Sequence, residues 1–349
     1  MIARPYISIL VSVHNQTELL RELLRSIFEN TSTGTTYEVI VCDDGSDTPV
    51  VSNTKPEPRL RIVRHGSALG AASGRNSAAR LALGEVFLFL DADTVLKAGS
   101  IEHLCARFNG ETDLGALNGG AEVSAANHDG GFTPQYRAMI DHVQQNLRNL
   151  EACSWFTARC GAIRRSVFFA AGGFDEFYQG ASVEEIEFGH RLSVLTPIRF
   201  DSGLSVSHHY ARFWKNTNNY FTRTRYWAGL FASRRRFENY GSATGHAGFG
   251  SILALVWIPG LLFPFPVQYL SCVVSIAGLY WGYHDIFRWS LRLMGAKILF
   301  PICAAYLVVM RARCCRSGIW IPRLSSNGAI IGSKTWPLMF GLQIRAWVY

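Results

Sequence analysis

Seven residues constrain the fold of this chain most: Phe87-Leu88-Phe89-Leu90-Asp91-Ala92-Asp93. Four large apolar residues in succession predict a strand buried on both faces, and such strands belong to parallel sheets covered by helices. The run then stops on two carboxylates. Side chains alternate along an extended backbone, so Asp91 and Asp93 point the same way, at the C-terminal strand end where open α/β sheets hold their ligands. Two like charges aimed at one point repel unless a cation lies between them. Hard divalent cations such as Mg2+ or Mn2+ take a few carboxylates together with substrate phosphates, which makes the pair a candidate metal and diphosphate site. An isolated Asp-x-Asp is common, and a strand ending in a solvated turn has the same pattern. What surrounds it decides between the two.

The surroundings alternate strand and helix. Ile7 to Val13 reads as a strand and leads through His14-Asn15-Gln16-Thr17 into Leu19-Leu20-x-x-Leu23-Leu24-x-x-Ile27-Phe28, a helix with apolar residues at three-and-four spacing and Thr17 as its expected N-cap. Tyr37 to Cys42 is a second buried strand, ending on Asp43-Asp44-Gly45-Ser46-Asp47. Leu60 to Val63 is a third, and Ser73 to Arg80 opens a helix that feeds the Phe87 strand. Four such alternations imply a Rossmann-like, mainly parallel sheet with right-handed crossovers and helices on both faces. No Gly-x-Gly-x-x-Gly follows the first strand and no Walker sequence occurs, so neither common phosphate loop is present.

Charge divides the 349 residues sharply. Residues 1–238 carry 25 Lys+Arg against 25 Asp+Glu, whereas 239–349 carry nine Lys+Arg and one acid, Asp285, so the net charge of +8 lies in the last third. That third is also the most apolar. A basic, apolar tail on a neutral domain points to a membrane with anionic headgroups, not to nucleic acid, which would need a basic face on the folded domain. Gly248 to Tyr283 contains no acid, lysine or arginine and as one helix would run roughly 50 Å. Pro264 and Pro266 split it, giving apolar segments at about 248–263 and 266–283, with a third at 293–310; two short membrane helices or a re-entrant hairpin fit the first two. Before them, 213–237 reads as an amphipathic interfacial helix, with Tyr226 and Trp227 at headgroup depth and Arg234-Arg235-Arg236 beyond. The eight cysteines have no Cys-x-x-Cys spacing, so neither zinc nor disulfides are expected.

Four blocks stand in order: Val11-Ser12-Val13-His14-Asn15; Val41-Cys42-Asp43-Asp44-Gly45-Ser46; Gly74-Arg75-Asn76-x-Ala78-x-x-x-Ala82-x-Gly84-Glu85; and Leu88-Phe89-Leu90-Asp91-Ala92-Asp93. A fifth runs from Gly161-Ala162-Ile163-Arg164-Arg165 through Gly172-Gly173-Phe174-Asp175-Glu176 to Glu184-Glu185-Ile186-Glu187. Over about residues 6–227 this succession resembles the family-2 glycosyltransferases. The resemblance implies a GT-A fold, a nucleotide-sugar donor, a divalent metal (Mn or Mg) and inversion at the anomeric carbon. It further implies that Asn15 and one of Asp43 or Asp44 lie at the nucleoside, Arg75 near the donor, Asp91 by the ribose and sugar, and Asp93 on the metal.

Direct inversion needs a base for the attacking hydroxyl. The family places it in a Glu-Asp pair after the Gly-Gly-Phe-Asp block; here the pair is Glu184-Glu185, so the resemblance points to Glu185, one methylene longer than the usual aspartate. Glu184 and Glu187 stay open as alternatives. Val206-Ser207-His208-His209 matches the place where many members put a histidine near metal or diphosphate, which suggests His208. Thr222-Arg223-Thr224-Arg225-Tyr226-Trp227 is distantly similar to the Gln-x-x-Arg-Trp segment of processive members and makes Arg225 a donor-binding candidate. It lacks the glutamine and inserts a tyrosine, so processivity is not expected.

The chain therefore reads as a GT-A domain over 1–238 followed by a membrane-associated region over 239–349. The expected activity is transfer of a sugar, by a membrane-attached enzyme with a cytoplasmic catalytic domain, to a hydroxyl of a lipid-linked saccharide or envelope glycan precursor. One alternative is a polyprenyl-phosphate glycosyltransferase, whose acceptor is already ionised; such members usually follow Asp-x-Asp with Leu-Gln, where this chain has Thr94-Val95. Another is a non-catalytic membrane binding module that kept the fold.

Overall fold

The structure, a computed structural model, describes residues 5–29, 36–50, 57–146, 153–178 and 183–212, then 215, 249, 253, 270–271, 273–281, 284 and 288. The elements are β1 (Ile7–Val13), α1 (Thr17–Glu29), β2 (Tyr37–Asp43), β3 (Leu60–Arg64), α2 (Ala71–Leu81), β4 (Val86–Asp91), β5 (Thr94–Leu96), α3 (Ser100–Gly110), β6 (Ala116–Ala121), α4 (Phe132–Asn146), β7 (Cys160–Arg164), α5 (Arg165–Ala170), α6 (Glu184–Leu195) and β8 (Ile198–His208). The strands form one sheet in the order β3-β2-β1-β4-β7-β6-β8-β5.

The first four strands are parallel, as the alternation predicts. The other half is mixed: β7 is antiparallel to both β4 and β6, β8 is parallel to β6, and β5 closes the edge antiparallel to β8. Only Ala92 and Asp93 separate β4 from β5, far too little chain for a parallel crossover, so β5 leaves β4's neighbourhood and pairs with β8 instead.

Alternation along β1 divides the core. Ile7, Ile9, Val11 and Val13 face α1, meeting Leu20, Leu23, Leu24 and Ile27. Leu10 faces the opposite layer, where α2 contributes Ala72, Ala78 and Ala79 and a group of phenylalanines (Phe87, Phe89, Phe156, Phe168, Phe174 and Phe188) fills the space under α5 and α6. Small residues let α2 lie close to the sheet. A Cβ on Gly74 would meet Ser12 Oγ at 2.1 Å, so the residue that follows, Arg75, is held almost against the strand ends. Helix α1 begins slightly earlier than Thr17 as cap suggests: the Gln16 carbonyl accepts from the Leu20 amide at 2.9 Å, which puts the cap at Gln16.

Farther on, 270–271 and 273–281 are helical, within the apolar segment expected at 266–283. Leu270, Val273, Ile276, Leu279, Tyr280 and Trp281 are exposed, while Ser271 and Ser275 are buried and Ser275 Oγ donates to the Leu253 carbonyl at 3.2 Å. Among the described residues no helix is long and apolar enough to cross a membrane. The chain divides into two compact units, 1–283 and 284–349. The boundary expected after 238, the segment 293–310, nearly all of 213–237 and most of 248–263 lie outside the described residues.

A candidate active site at the end of β4

Strand β4 delivers Asp91 and Asp93 to the C-terminal edge of the parallel half, with side chains 29% and 24% exposed. The pairing of β5 with β8 places Thr94 opposite His208, and the His209 amide donates to the Asp93 carbonyl at 2.9 Å. His208 Nε2 consequently stands 3.2 Å from Asp93 Oδ1. Asp91, Asp93 and His208 each offer one ligand atom, all within 4.8 Å of one another. His208 Nδ1 is buried with no hydrogen-bond partner among the described residues, and the ring packs on Tyr210 with centroids 4.5 Å apart. Burial by itself would raise the Asp93 pKa; the charge and hydrogen bond of His208, helped by Arg159, hold it below the ordinary value. Two carboxylates and an imidazole converging in this way suit a hard or borderline divalent cation.

Arg75 sits behind Asp91 with almost no exposure, and its fork joins three acids. One terminal nitrogen donates to Asp91 at 2.8 Å and to Glu185 at 3.3 Å, the other to Glu184 at 2.9 Å. Desolvation works against the guanidinium charge, but Asp91, Glu185 and Glu184 together raise its pKa.

The acids reach Arg75 because α6 is braced. Phe188 of α6 lies 4.6 Å from Phe174 between ring centroids, and Asn76 of α2 both donates to the Phe174 carbonyl (2.8 Å) and accepts from its amide (3.0 Å). Gly173 makes the turn at φ +71°, where a Cβ would also strike Asn76 Oδ1. The three glutamates then separate. Glu184 is 2% exposed and closed by Arg75. Glu187 binds Arg191 at 2.6 and 2.7 Å, and that arginine also donates to the Gly173 carbonyl at 2.8 Å. Glu185 keeps a quarter of its side chain open to solvent, with Oε2 accepting from the Ala158 amide at 3.1 Å. Burial pushes its pKa up to about 7; Arg75 opposes this, and Asp91 and Glu184 add to it. A carboxyl poised near neutrality and partly open to solvent can accept a proton.

The other expected residues stand apart. Asp43 is buried and accepts from the Ser46 and Val50 amides (3.0 and 3.3 Å) and from Arg64. Burial raises its pKa, and these hydrogen bonds bring it below the ordinary value. Asp44 is buried too, accepting from the Leu69 and Gly70 amides (2.9 and 2.8 Å) and meeting His65 Nδ1 at 2.7 Å. Both carboxylates are engaged in holding loops. Asn15 is exposed at φ 54°, accepts from the Asp47 amide at 2.8 Å and ties the β1 end to the β2 loop. Arg225 lies outside the described residues.

Three further residues belong here that no sequence motif singles out. Asp141 of α4 accepts from Arg159 at 2.6 Å and from the Tyr210 hydroxyl at 2.8 Å. It is buried, and Arg159, Arg137 and Tyr210 outweigh desolvation and lower its pKa to about 2. These residues are far apart in the chain, and each type is ordinary where it stands, so nothing in the sequence signals that they meet.

Residues 8–169 match the family model "Glycosyl transferase family 2". Validoxylamine A glucosyltransferase from Streptomyces hygroscopicus subsp. limoneus is 26% identical over 236 residues, which is 58% of this chain and 52% of that protein, so the chain spans about half the length of this relative. UDP-Glc:alpha-D-GlcNAc-diphosphoundecaprenol beta-1,3-glucosyltransferase WfaP from Escherichia coli is 30% identical over 89 residues, 25% of this chain and 35% of that one. Among solved structures, the mannosyltransferase PcManGT from Pyrobaculum calidifontis, in complex with GDP-Man and Mn2+, superposes with a TM-score of 0.48 at 17% identity, covering 89% of this chain and 81% of that chain.

Proposed function

From a chain that carries a family-2 glycosyltransferase domain over residues 8–169, we propose an inverting sugar transferase that moves a hexose from a nucleotide-sugar donor to an acceptor hydroxyl. One observation carries this reading: Asp91, Asp93 and His208 converge within 4.8 Å, while Arg75 bonds both Asp91 and Glu185. A metal-binding cluster and a partly open carboxyl of raised proton affinity are thereby held at one cleft.

In this reading Asp91, Asp93 and His208 hold Mn2+ or Mg2+, which when bound supplies positive charge where the leaving nucleoside diphosphate develops negative charge. Glu185 takes the proton of the attacking hydroxyl, kept in place by Arg75 and the Ala158 amide. Arg75 acts on the acids, limiting their mutual repulsion. Glu184 and Glu187 serve structure, since Arg75 and Arg191 occupy them. Asp43 and Asp44 shape the loops that would receive the nucleoside, with Asn15 at the rim. Arg225 remains a donor contact by resemblance.

We further place the catalytic domain, ending near 238, on a cytoplasmic membrane surface. The outward apolar side chains of 270–281, with Ser271 and Ser275 turned inward, are the inverse of a soluble helix and support contact with lipid. A lipid-linked saccharide as acceptor agrees with the acceptor in the WfaP name. The test is a thermal-shift screen of nucleoside diphosphates and nucleotide-sugars with and without Mn2+. Stabilisation that needs both nucleotide and metal is expected; no nucleotide-dependent shift under any condition sinks the reading.

A further inference from the structure

We infer that Arg159 is an anion-binding residue of this cleft, presenting its guanidinium to a phosphoryl oxygen between Asp91 and Glu185. This rests on the nucleotide-sugar reading for the identity of the cleft, but not for the residue's geometry.

The placement follows from the sheet. Leu90 opposes Cys160 at the end of the antiparallel β4 and β7 pair, and Arg159 is the turn residue just before Cys160, so it lies at the strand end where β4 runs into Asp91. On its other side the preceding residue, Ala158, holds Glu185 through its amide at 3.1 Å. Arg159 therefore sits in the turn that joins the residue holding Glu185 to the start of β7, the strand beside β4. Its charge reaches both Asp93 and Glu185: it helps to keep Asp93 ionised, and Glu185 helps to keep it protonated.

The side chain is anchored and only partly used. One terminal N–H donates to Asp141 Oδ2 at 2.6 Å, and among the described residues no other protein acceptor meets the guanidinium, which is 15% exposed. A guanidinium has five donors in a planar fork, so most of them remain for a ligand. Asp141 is not its exclusive partner, because that carboxylate also receives the Tyr210 hydroxyl at 2.8 Å and Arg137 at 3.4 Å. Arg137 and Arg159 thus share one carboxylate. A planar fork tethered at one corner, with no second acceptor among the described residues, matches the geometry of phosphate recognition.

The phosphoryl oxygen has two sources, the leaving nucleoside diphosphate or a phosphate carried by the acceptor. Calorimetry on the full chain with Mn2+ and UDP or GDP, and with farnesyl diphosphate against farnesol, separates them. Arg159→Lys keeps the charge and loses the fork. Arg159→Gln alone would leave Asp141 buried without its main partner, so Arg159→Gln with Asp141→Asn is the second variant. Loss of nucleotide affinity by about ten- to hundredfold in both variants, the scale of charge-assisted hydrogen bonds, assigns the leaving group. The same loss confined to farnesyl diphosphate assigns the acceptor. Nucleotide and farnesyl diphosphate affinities within about twofold of the parent in both variants overturn the inference while leaving the function reading intact. If the parent binds no nucleotide but binds farnesyl diphosphate through Arg159, the donor reading falls and the anion site stands; binding of neither probe by the parent overturns both.

Discussion

Strands β2 and β4 flank β1 on either side, and each runs out on two aspartates, yet the two pairs lead opposite lives. At β2, four backbone amides, an arginine and a histidine converge on Asp43 and Asp44. At β4, one arginine is shared among Asp91, Glu184 and Glu185, and one histidine stands beside Asp93. A carboxylate has about four acceptor sites. Asp43 and Asp44 each have three of these engaged, whereas the Asp91 side chain meets Arg75 and the Asp93 side chain meets His208 among the described residues, which leaves the second pair the more available to a cation. Position at a strand end is thus no guide to chemistry by itself; the supply of N–H groups is.

The largest effect should come from Glu185. Glu185→Gln should lower transfer to acceptor by about 10² to 10⁴-fold while nucleotide and metal binding persist. Parent-like transfer in that variant would show that the base lies elsewhere or that the acceptor is already ionised. Glu185→Asp sharpens the point: retained activity means that the cleft tolerates the family's shorter acid, and loss means that it has adapted to the longer one.

Next comes a direct exchange between the two strand ends. Asp93→Asn should weaken Mn2+-dependent nucleoside diphosphate binding by at least about 10²-fold, the upper end of the range seen for residues that only support metal ligands. Its stability should fall by about 0.5–1.5 kcal/mol, the worth of the hydrogen bond to His208. Calorimetry and thermal melts measure the two quantities, and an unchanged metal-dependent affinity removes Asp93 from the metal.

The pH profile should reflect the crowding of acids at β4. Glu185 is needed deprotonated, and its pKa is raised to about 7, so kcat/KM should rise with pH and level off above that value. Each pH unit below it should cost about tenfold. A profile flat between pH 5 and 8 would contradict the role. The Glu185→Gln enzyme should lack this limb.

The smallest effect on binding should come from Asp43→Asn, which completes the comparison. It removes charge-assisted bonds to Arg64 and two amides, so stability should fall by about 1.5–3 kcal/mol. Nucleotide affinity of the folded protein should fall by less than about tenfold, the effect of a loosened loop and not of a lost contact. If affinity falls while stability does not, Asp43 touches the nucleoside after all.

Much of this was legible in the residues. The parallel half follows from apolar runs of strand length alternating with helical spacing, and Asp91 and Asp93 follow from two-residue alternation at a strand end. The order of the blocks pointed to His208 and Glu185, and the fold brings the first to Asp93 and the second to Arg75. The mixed half was not legible, because short strands such as Cys160–Arg164 and Thr94–Leu96 carry no direction in their composition. Nor was it legible which of Glu184, Glu185 and Glu187 would be closed by an arginine and which would stay partly open to solvent.

The sequence by itself determined that a buried strand would end on two aspartates, that helices would cover both faces of the sheet, and that a basic, apolar region would follow. These are local properties, written in spacing and side-chain type. Only the tertiary structure decided which carboxylates are spent. Hydrogen-bond saturation and desolvation depend on groups brought from far along the chain: Arg75 onto Glu184 across 109 residues, Tyr210 onto Asp141 across 69. The availability of an acid is a sum over its neighbours in space, and a linear pattern does not contain that sum.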